Sequence, residues 1–214
     1  ASSIWIGEYN NISNKVYVDI SGGRFPDSNL ITGKGCLIAY ETYVNICRQV
    51  KLGQNVALSP KSMIYTHSYW QSVLDGYPAT FGPVTIEDNS WLGSMAQVLP
   101  NITVGTGSII ISNSFVTSNV KPFTMVGGVP AKPIKADLKK SISETNKEKI
   151  IKELFSELGD WLYSQHCVIN SINESIIKIN VGTEQRLCML LKKNADAPDK
   201  NDGIDILISL YTSN

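Results

Sequence analysis

Histidine is almost missing from this chain: its 214 residues hold two, His67 and His166. The four cysteines, Cys36, Cys47, Cys167 and Cys188, are widely spaced and form no Cys-x-x-Cys pair. These shortages leave a metal site without support, zinc included, and they favour a reduced, cytoplasmic compartment. Net charge is missing as well, with 19 Lys and Arg against 19 Asp and Glu. Global electrostatics therefore points neither to nucleic acid nor to a membrane surface. No apolar run approaches the roughly 18 residues of a transmembrane segment, and the N-terminus shows no secretory signal pattern. It opens Ala-Ser-Ser and enters patterned sequence at once, which reads as a trimmed or tagged start and leaves native targeting information open.

What the sequence does have is a period of six. From Ile86 an aliphatic residue returns at Leu92, Val98, Val104, Ile110 and Val116. Four places after each stands a small or branched companion: Ser90, Ala96, Ile102, Ser108, Ser114, Val120. An earlier run places Ile46, Leu52, Leu58 and Ile64 at the aliphatic position, with Val44, Val50, Val56 and Ser62 as companions. A shorter trace opens the chain at Ile6, Ile12 and Val18. Helices return apolar residues every three or four places and half-buried strands every two. A six-residue period fits short strand-plus-turn units, three to a triangular coil, whose stacking buries one apolar column that no single unit could bury.

The breaks in the period carry information. The step from Ile64 to Ile86 is 22 positions, and removing Ser68 to Pro83 restores the register. Residues 68–83 therefore read as a loop thrown out of the column directly after His67, with turn signals at Asp75-Gly76 and Tyr77-Pro78 and Tyr69, Trp70, Tyr77 and Phe81 as aromatic anchors. A second irregular stretch runs from Gly22 to Ile31. Beyond Lys135 the period vanishes: charged residues make up 16 of the first 135 positions and 22 of the last 79. Ile150, Ile151, Leu154, Phe155, Leu158, Trp161 and Leu162 recur at helical spacing, with Ser143-Glu144 as a start signal. Strand-like runs follow near 175–181, 185–191 and 204–211. The expected organisation is mainly β: a repeat domain over 1–135 with the inserted loop 68–83, then an α+β extension over 136–214 made of a helix and a small antiparallel sheet.

Acyl transfer to a hydroxyl needs a base that works near neutral pH, donors for the developing oxyanion, and an acyl carrier held in line. Histidine suits the first task, with an unperturbed pKa of about 6.5. His67 is the one histidine of the repeat region and sits at a coil corner beside the long loop. His166, next to Cys167 at the end of the expected helix, reads as structural or exposed.

The stretch Ile86-Glu87-Asp88-Asn89-Ser90-Trp91-Leu92-Gly93-Ser94, continuing to Val126-Gly127-Gly128-Val129-Pro130-Ala131-Lys132-Pro133-Ile134-Lys135, resembles the closing coils of the hexapeptide-repeat acetyltransferases, which include galactoside, maltose, xenobiotic and polysaccharide enzymes. The resemblance covers residues 38–135 and implies a left-handed parallel β-helix; the period alone carries no hand. Thr66-His67, the aromatic loop and Ser90-Trp91-Leu92-Gly93-Ser94 also look like the capsular polysialic acid O-acetyltransferases. The resemblance implies acetyl-CoA as donor, with no metal, and a homotrimer with sites between subunits. His67 would be the catalytic base in a direct ternary-complex transfer, and Trp91 would flank the acetyl group and pantetheine arm as a catalytic and donor-binding residue. Ser94 would offer a main-chain N–H to the thioester oxygen. Ser112 and Thr117 would contact the pantetheine, and Gly127, Gly128, Lys132 and Lys135 would hold the phosphates. Many relatives have lysine after that threonine. Here Ser118 follows Thr117, which shifts weight to Lys121, Lys132 and Lys135.

Each reading has a plainer counterpart. Trp91 would equally cover a coil edge, and Gly127 and Gly128 would serve as turn glycines. The loop aromatics Tyr69 and Trp70 would pack, for instance against a neighbouring subunit, as readily as stack on a sugar. The favoured acceptor is a sugar hydroxyl, above all on sialic acid residues of an anionic capsular polysaccharide. Arg24, Lys34, Arg48, Lys51 and Lys61 offer a positive surface for it, with Arg48 and Lys51 as candidate substrate contacts. Alternatives are a small galactoside, a xenobiotic or an amino sugar, and, in another class, a non-catalytic β-helical binding module. Serine acetyltransferase is disfavoured for want of a long helical segment before the repeats, and a β-helical carbonic anhydrase for want of three imidazoles.

Overall fold

Three parallel sheets wind around one apolar column. The computed structural model describes residues 2–164 and, beyond them, the strands Val168–Ile172, Ile176–Val181, Glu184–Met189 and Leu210–Thr212. His166 and Cys167 lie outside the described residues.

Each coil visits the three sheets in turn. The first sheet stacks Ser3–Trp5, Asn29–Thr32, Val50–Leu52, Val84–Ile86 and Thr103–Val104. The second stacks Asn11–Ile12, Leu37–Ile38, Ala57–Leu58, Trp91–Leu92, Ile109–Ile110 and Met125–Gly127, and Lys132–Lys135 turns back antiparallel onto its last strand. The third stacks Tyr17–Asp19, Tyr43–Asn45, Met63–Ile64, Gln97–Val98 and Phe115–Val116. Coils one to five thus cover residues 3–19, 29–45, 50–64, 84–98 and 103–116. This is a mainly β, parallel-sheet architecture consistent with the left-handed β-helix of the acetyltransferases.

The six-residue period works as the pattern demands. Ile86, Leu92, Val98, Val104 and Ile110 are fully buried and Val116 nearly so. Each such side chain removed from water contributes about 1.5–3 kcal/mol. The companions are small because they sit inside the corners, and where they are serines their hydroxyls satisfy corner carbonyls. Ser90 Oγ donates to the Gly105 carbonyl at 2.9 Å and Ser108 Oγ to the Lys121 carbonyl at 2.7 Å. Tight corners also force one residue into the left-handed region: Asn55, Asn89 and Gly107 between the first and second sheets, Lys61, Met95 and Asn113 between the second and third. Asparagine and glycine tolerate that conformation best.

Two expectations are corrected. Val44, not Ile46, stands on the third-sheet ladder, between Val18 and Ile64. Ile46 lies in the following corner, still buried. A slip of two positions keeps the same inside–outside alternation, so an all-apolar pair gave the period no means to choose. The early interruption also ends sooner than expected, since Asn29–Thr32 is already a strand.

Residues Ala1–Lys140 and Ser141–Asn214 form two compact units. In the second, Ser143 caps the helix Glu144–Ser164 as expected: Asn146 N–H donates to Ser143 Oγ at 3.3 Å. The strands Val168–Ile172, Ile176–Val181, Glu184–Met189 and Leu210–Thr212 pair antiparallel in that order. The first of them was not among the expected runs.

Candidate active site

The corner where the third sheet hands over to the first is where this column departs from regularity. In coil four the crossing from Val98 to Val104 takes the normal six positions. Between the equivalent ladder positions, coil one takes 14, from Val18 to Thr32, coil two 8, from Val44 to Leu52, and coil three 22, from Ile64 to Ile86. Three successive coils therefore bulge at one corner, and their extra residues meet there.

Coil three supplies His67. The insertion after it is a hairpin in which His67–Ser68 pairs antiparallel with Thr80–Phe81, and a 3₁₀ turn at Val73–Asp75 ends at Gly76 with φ of 84°. The column resumes at Val84–Ile86, which pairs with Val50–Leu52 on one side and Thr103–Val104 on the other. His67 is half-buried. Phe81 lies near-parallel to its ring at a centroid distance of 6.2 Å, and Tyr69 tilts against it at 5.7 Å. Coil one presses Gly22 onto the same imidazole. Coil two supplies Asn45, fully buried, whose Oδ1 lies 3.0 Å from His67 Nδ1. Among the described residues His67 Nε2 has no hydrogen-bond partner.

Around this centre the polar groups are matched. Asp19 accepts hydrogen bonds from the Ser21 backbone N–H at 3.0 Å, from the Ser21 hydroxyl, and from Tyr43 Oη at 2.6 Å. Those bonds, the Ser21 hydroxyl first, hold its carboxyl below the ordinary value. Burial pushes the Tyr43 phenol up. Arg48 pairs with Asp27 at 3.0 Å and lies over the Phe25 ring at 4.7 Å, while Phe25 meets Phe81 edge-on at 5.8 Å. Tyr69 is half exposed, and Trp70 is 90% exposed. Lys51 is exposed on the first-sheet strand Val50–Leu52.

The remaining sequence-derived candidates divide by face. Thr117 leaves the third sheet at the same corner as His67, two coils further on, and Lys121 follows the bridge of Val104 to Val120; both are exposed. Trp91 instead lies on the second sheet between Ala57 and Ile109, half exposed, with Nε1 donating to Ser59 Oγ at 2.7 Å. Ser94 and Ser112 occupy stacked corners between the second and third sheets, the Ser94 carbonyl accepting from Asn113 N–H at 2.9 Å. Gly127 ends the second sheet where a Cβ would lie 2.8 Å from Ile134 Cδ1, and Gly128 has φ of 98°. A side chain at Gly127 would make Ile134 shift, and at Gly128 it is the backbone conformation rather than packing that favours glycine. Lys132 and Lys135 are exposed on the last strand. Among the described residues Lys121, Lys132 and Lys135 form no ion pair. In a three-sided column a corner lies across from the third face, so the apolar core separates Trp91 from His67 within one chain.

The sequence reading missed Asn45, Gly22 and Ser21. The only available signal was corner length, and the misphased Val44 hid the coil-two bulge. Among the described residues no group of three metal-ligating side chains converges, and no helix is long and apolar enough to cross a membrane.

No family model matches the chain. Its sequence is 44% identical over 66 residues to a chloramphenicol acetyltransferase of Klebsiella aerogenes, which covers 31% of this chain and 31% of that protein. The chain thus spans about a third of the length of the curated relatives it matches. Among solved structures, it is similar to a hexapeptide-repeat acetyltransferase from Vibrio cholerae complexed with acetyl coenzyme A, with TM-score 0.54, 24% identity, and coverage of 63% of this chain and 70% of that one. It is equally similar to a maltose O-acetyltransferase from Clostridium difficile, with TM-score 0.55, 25% identity, and coverage of 64% and 70%. The ladder of buried aliphatics, the shared fold and the acetyltransferase relatives together support the hexapeptide-repeat acetyltransferase family.

Proposed function

We propose that the chain is an acetyl-CoA-dependent O-acetyltransferase that acetylates a sugar hydroxyl, with His67 as general base. The observation that carries this is His67 itself: a half-buried imidazole held by Asn45, flanked by Tyr69 and Phe81, with one ring nitrogen that has no hydrogen-bond partner among the described residues. In the reaction, the acceptor oxygen attacks the thioester carbonyl carbon while its proton passes to the free imidazole nitrogen. The carbon–sulfur bond then breaks and the leaving thiolate takes that proton, which yields the acetyl ester and CoA thiol. The acetyl coenzyme A bound to the Vibrio neighbour supports the donor, and Lys121, Lys132 and Lys135, without an ion-pair partner among the described residues, suit its phosphates. Acetyl-CoA as donor supports a reaction in the cytoplasm.

His67 and Trp91 lie on opposite sides of the column, so one acetyl group can meet both only where two copies adjoin. That geometry supports a homotrimer with sites between subunits. For the acceptor, the maltose enzyme among the neighbours supports a carbohydrate, as do the exposed rings of Tyr69 and Trp70. Within that class we favour sialic acid residues of a capsular polymer. Arg24, Lys34 and Lys51 carry positive charge without an ion-pair partner among the described residues, whereas Arg48 and Lys61 are matched by Asp27 and Glu41. A xenobiotic hydroxyl is the second reading, favoured by the chloramphenicol acetyltransferase similarity.

The test is thiol release from acetyl-CoA against polysialic acid, simple galactosides, maltose, amino sugars and chloramphenicol. Turnover with the polymer alone supports the favoured acceptor, and turnover with chloramphenicol alone supports the second reading. Release with no acceptor of the panel would leave a binding module.

A further inference from the structure

We propose that Asn45 is a positioning residue that fixes His67 as its Nδ1–H tautomer, so that the lone pair sits on Nε2. The geometry stands without the acyl-transfer reading, but its catalytic consequence rests on that reading.

Two backbone groups that allow no choice of role decide which end of the Asn45 amide is which. The Cys47 N–H can only donate, and it points at Asn45 Oδ1 from 3.2 Å. The Ser21 carbonyl can only accept, and Asn45 Nδ2 lies 2.9 Å from it. Oδ1 is therefore the oxygen. A ring nitrogen 3.0 Å from that oxygen must carry a proton to make the bond. The neutral ring then has its lone pair on Nε2, the nitrogen without a hydrogen-bond partner among the described residues. The Thr66 hydroxyl, 2.5 Å from the same oxygen, has an alternative acceptor in the Asn45 main-chain carbonyl at 3.1 Å, so it does not compete for the assignment.

The support is deep for a single amide. Asn45 is fully buried, and leaving its site unpaired would strand a donor and an acceptor. Ser21, which receives its Nδ2, is itself fastened by Asp19, the register partner of Asn45 in the coil before. Coils one, two and three thus each contribute one step: the Asp19–Ser21 turn, Asn45, then His67. Asparagine fits this place because it selects a tautomer without setting a full negative charge against the ring. Free histidine in water prefers the opposite tautomer, so the selection has to be built.

The test uses the whole chain, with His166→Asn to leave one imidazole, and reads the ring nitrogens by ¹⁵N NMR above the titration range of histidine. The expected spectrum has a protonated Nδ1 and a pyridine-like Nε2; a protonated Nε2 would overturn the proposal. In Asn45→Leu the populations should reverse, and kcat should fall at least about tenfold with KM for acetyl-CoA little changed, as for other tautomer-orienting partners. Asn45→Asp, which keeps the acceptor, should restore the Nδ1–H spectrum and part of kcat. An unchanged spectrum in Asn45→Leu would also sink the idea, and if that variant does not fold the wild-type spectrum decides alone. If wild type releases no thiol with any acceptor, the acyl-transfer reading fails while the spectrum still decides the tautomer.

Discussion

Gly22 lies flat against the imidazole of His67: a Cβ built on it would come within 2.5 Å of Nδ1 and 2.6 Å of Cγ and Cε1. Its φ of 96° is a conformation that side chains rarely adopt. Two residues 45 positions apart in sequence are therefore stacked at one corner, and the smaller one sets where the larger can stand.

Gly22→Ala should push the ring off Asn45. We expect kcat to fall at least about tenfold, since a displacement near 1 Å at a reacting group costs on the order of a hundredfold. The column does not depend on this turn, so the melting temperature should drop only by what about 1–3 kcal/mol of local strain predicts. Steady-state kinetics beside thermal unfolding separates the two effects, and unchanged kcat would show that the ring needs no exact seat.

Mixing variants tests whether sites are shared. His67→Ala and Trp91→Ala should each be nearly inactive and each assemble normally. Unfolded and refolded together in equal amounts, they should recover about a quarter of the wild-type rate, because each of two subunit choices falls the right way half the time. No recovery, with mixed assemblies confirmed by mass, would place both residues' roles within one chain.

Deleting residues 68–83 joins His67 to Val84 across a column that is already in register. The variant should fold with a native-like β spectrum and retain its buried ladder. It loses Tyr69 and Phe81 from beside the imidazole, so acceptor turnover should collapse while acetyl-CoA binding, read by calorimetry, persists. Loss of folding instead would make the hairpin part of the core.

The Asp19 clamp gives an acid signature. Its carboxyl is held below the ordinary value of 3.8 in the folded chain by the Ser21 and Tyr43 hydrogen bonds. The folded state thus takes up that proton less readily than the unfolded one. The stabilisation is complete above the ordinary value and disappears as pH falls through the lowered one. Asp19→Asn should therefore lower the melting temperature at neutral pH, and the gap to wild type should close between about pH 4 and about pH 2. A gap that stays constant over that range would mean the carboxylate contributes nothing as a charge.

Much of this molecule was legible from residue order. Ile86, Leu92 and Val98 announce the coil because each rung repeats one local solution, and the hairpin was legible because Ser68–Pro83 drops out to restore the count. Ser143 signalled the helix start for a reason equally local. Val44 and Ile46 show the limit: both are apolar and both are buried, and only pairing with Val18 and Ile64 tells which stands on the ladder.

By itself the sequence determined the period, the column, the place of the insertion and the single histidine at its root, because these follow from local spacing and the need to hide aliphatic side chains. Only the tertiary structure decided that three unequal bulges share one corner, that Gly22 and Asn45 meet His67 there, and that Trp91 stands across the core. Such neighbours are set by how coils stack, and stacking brings together residues whose separations of 22 and 45 positions follow no repeat.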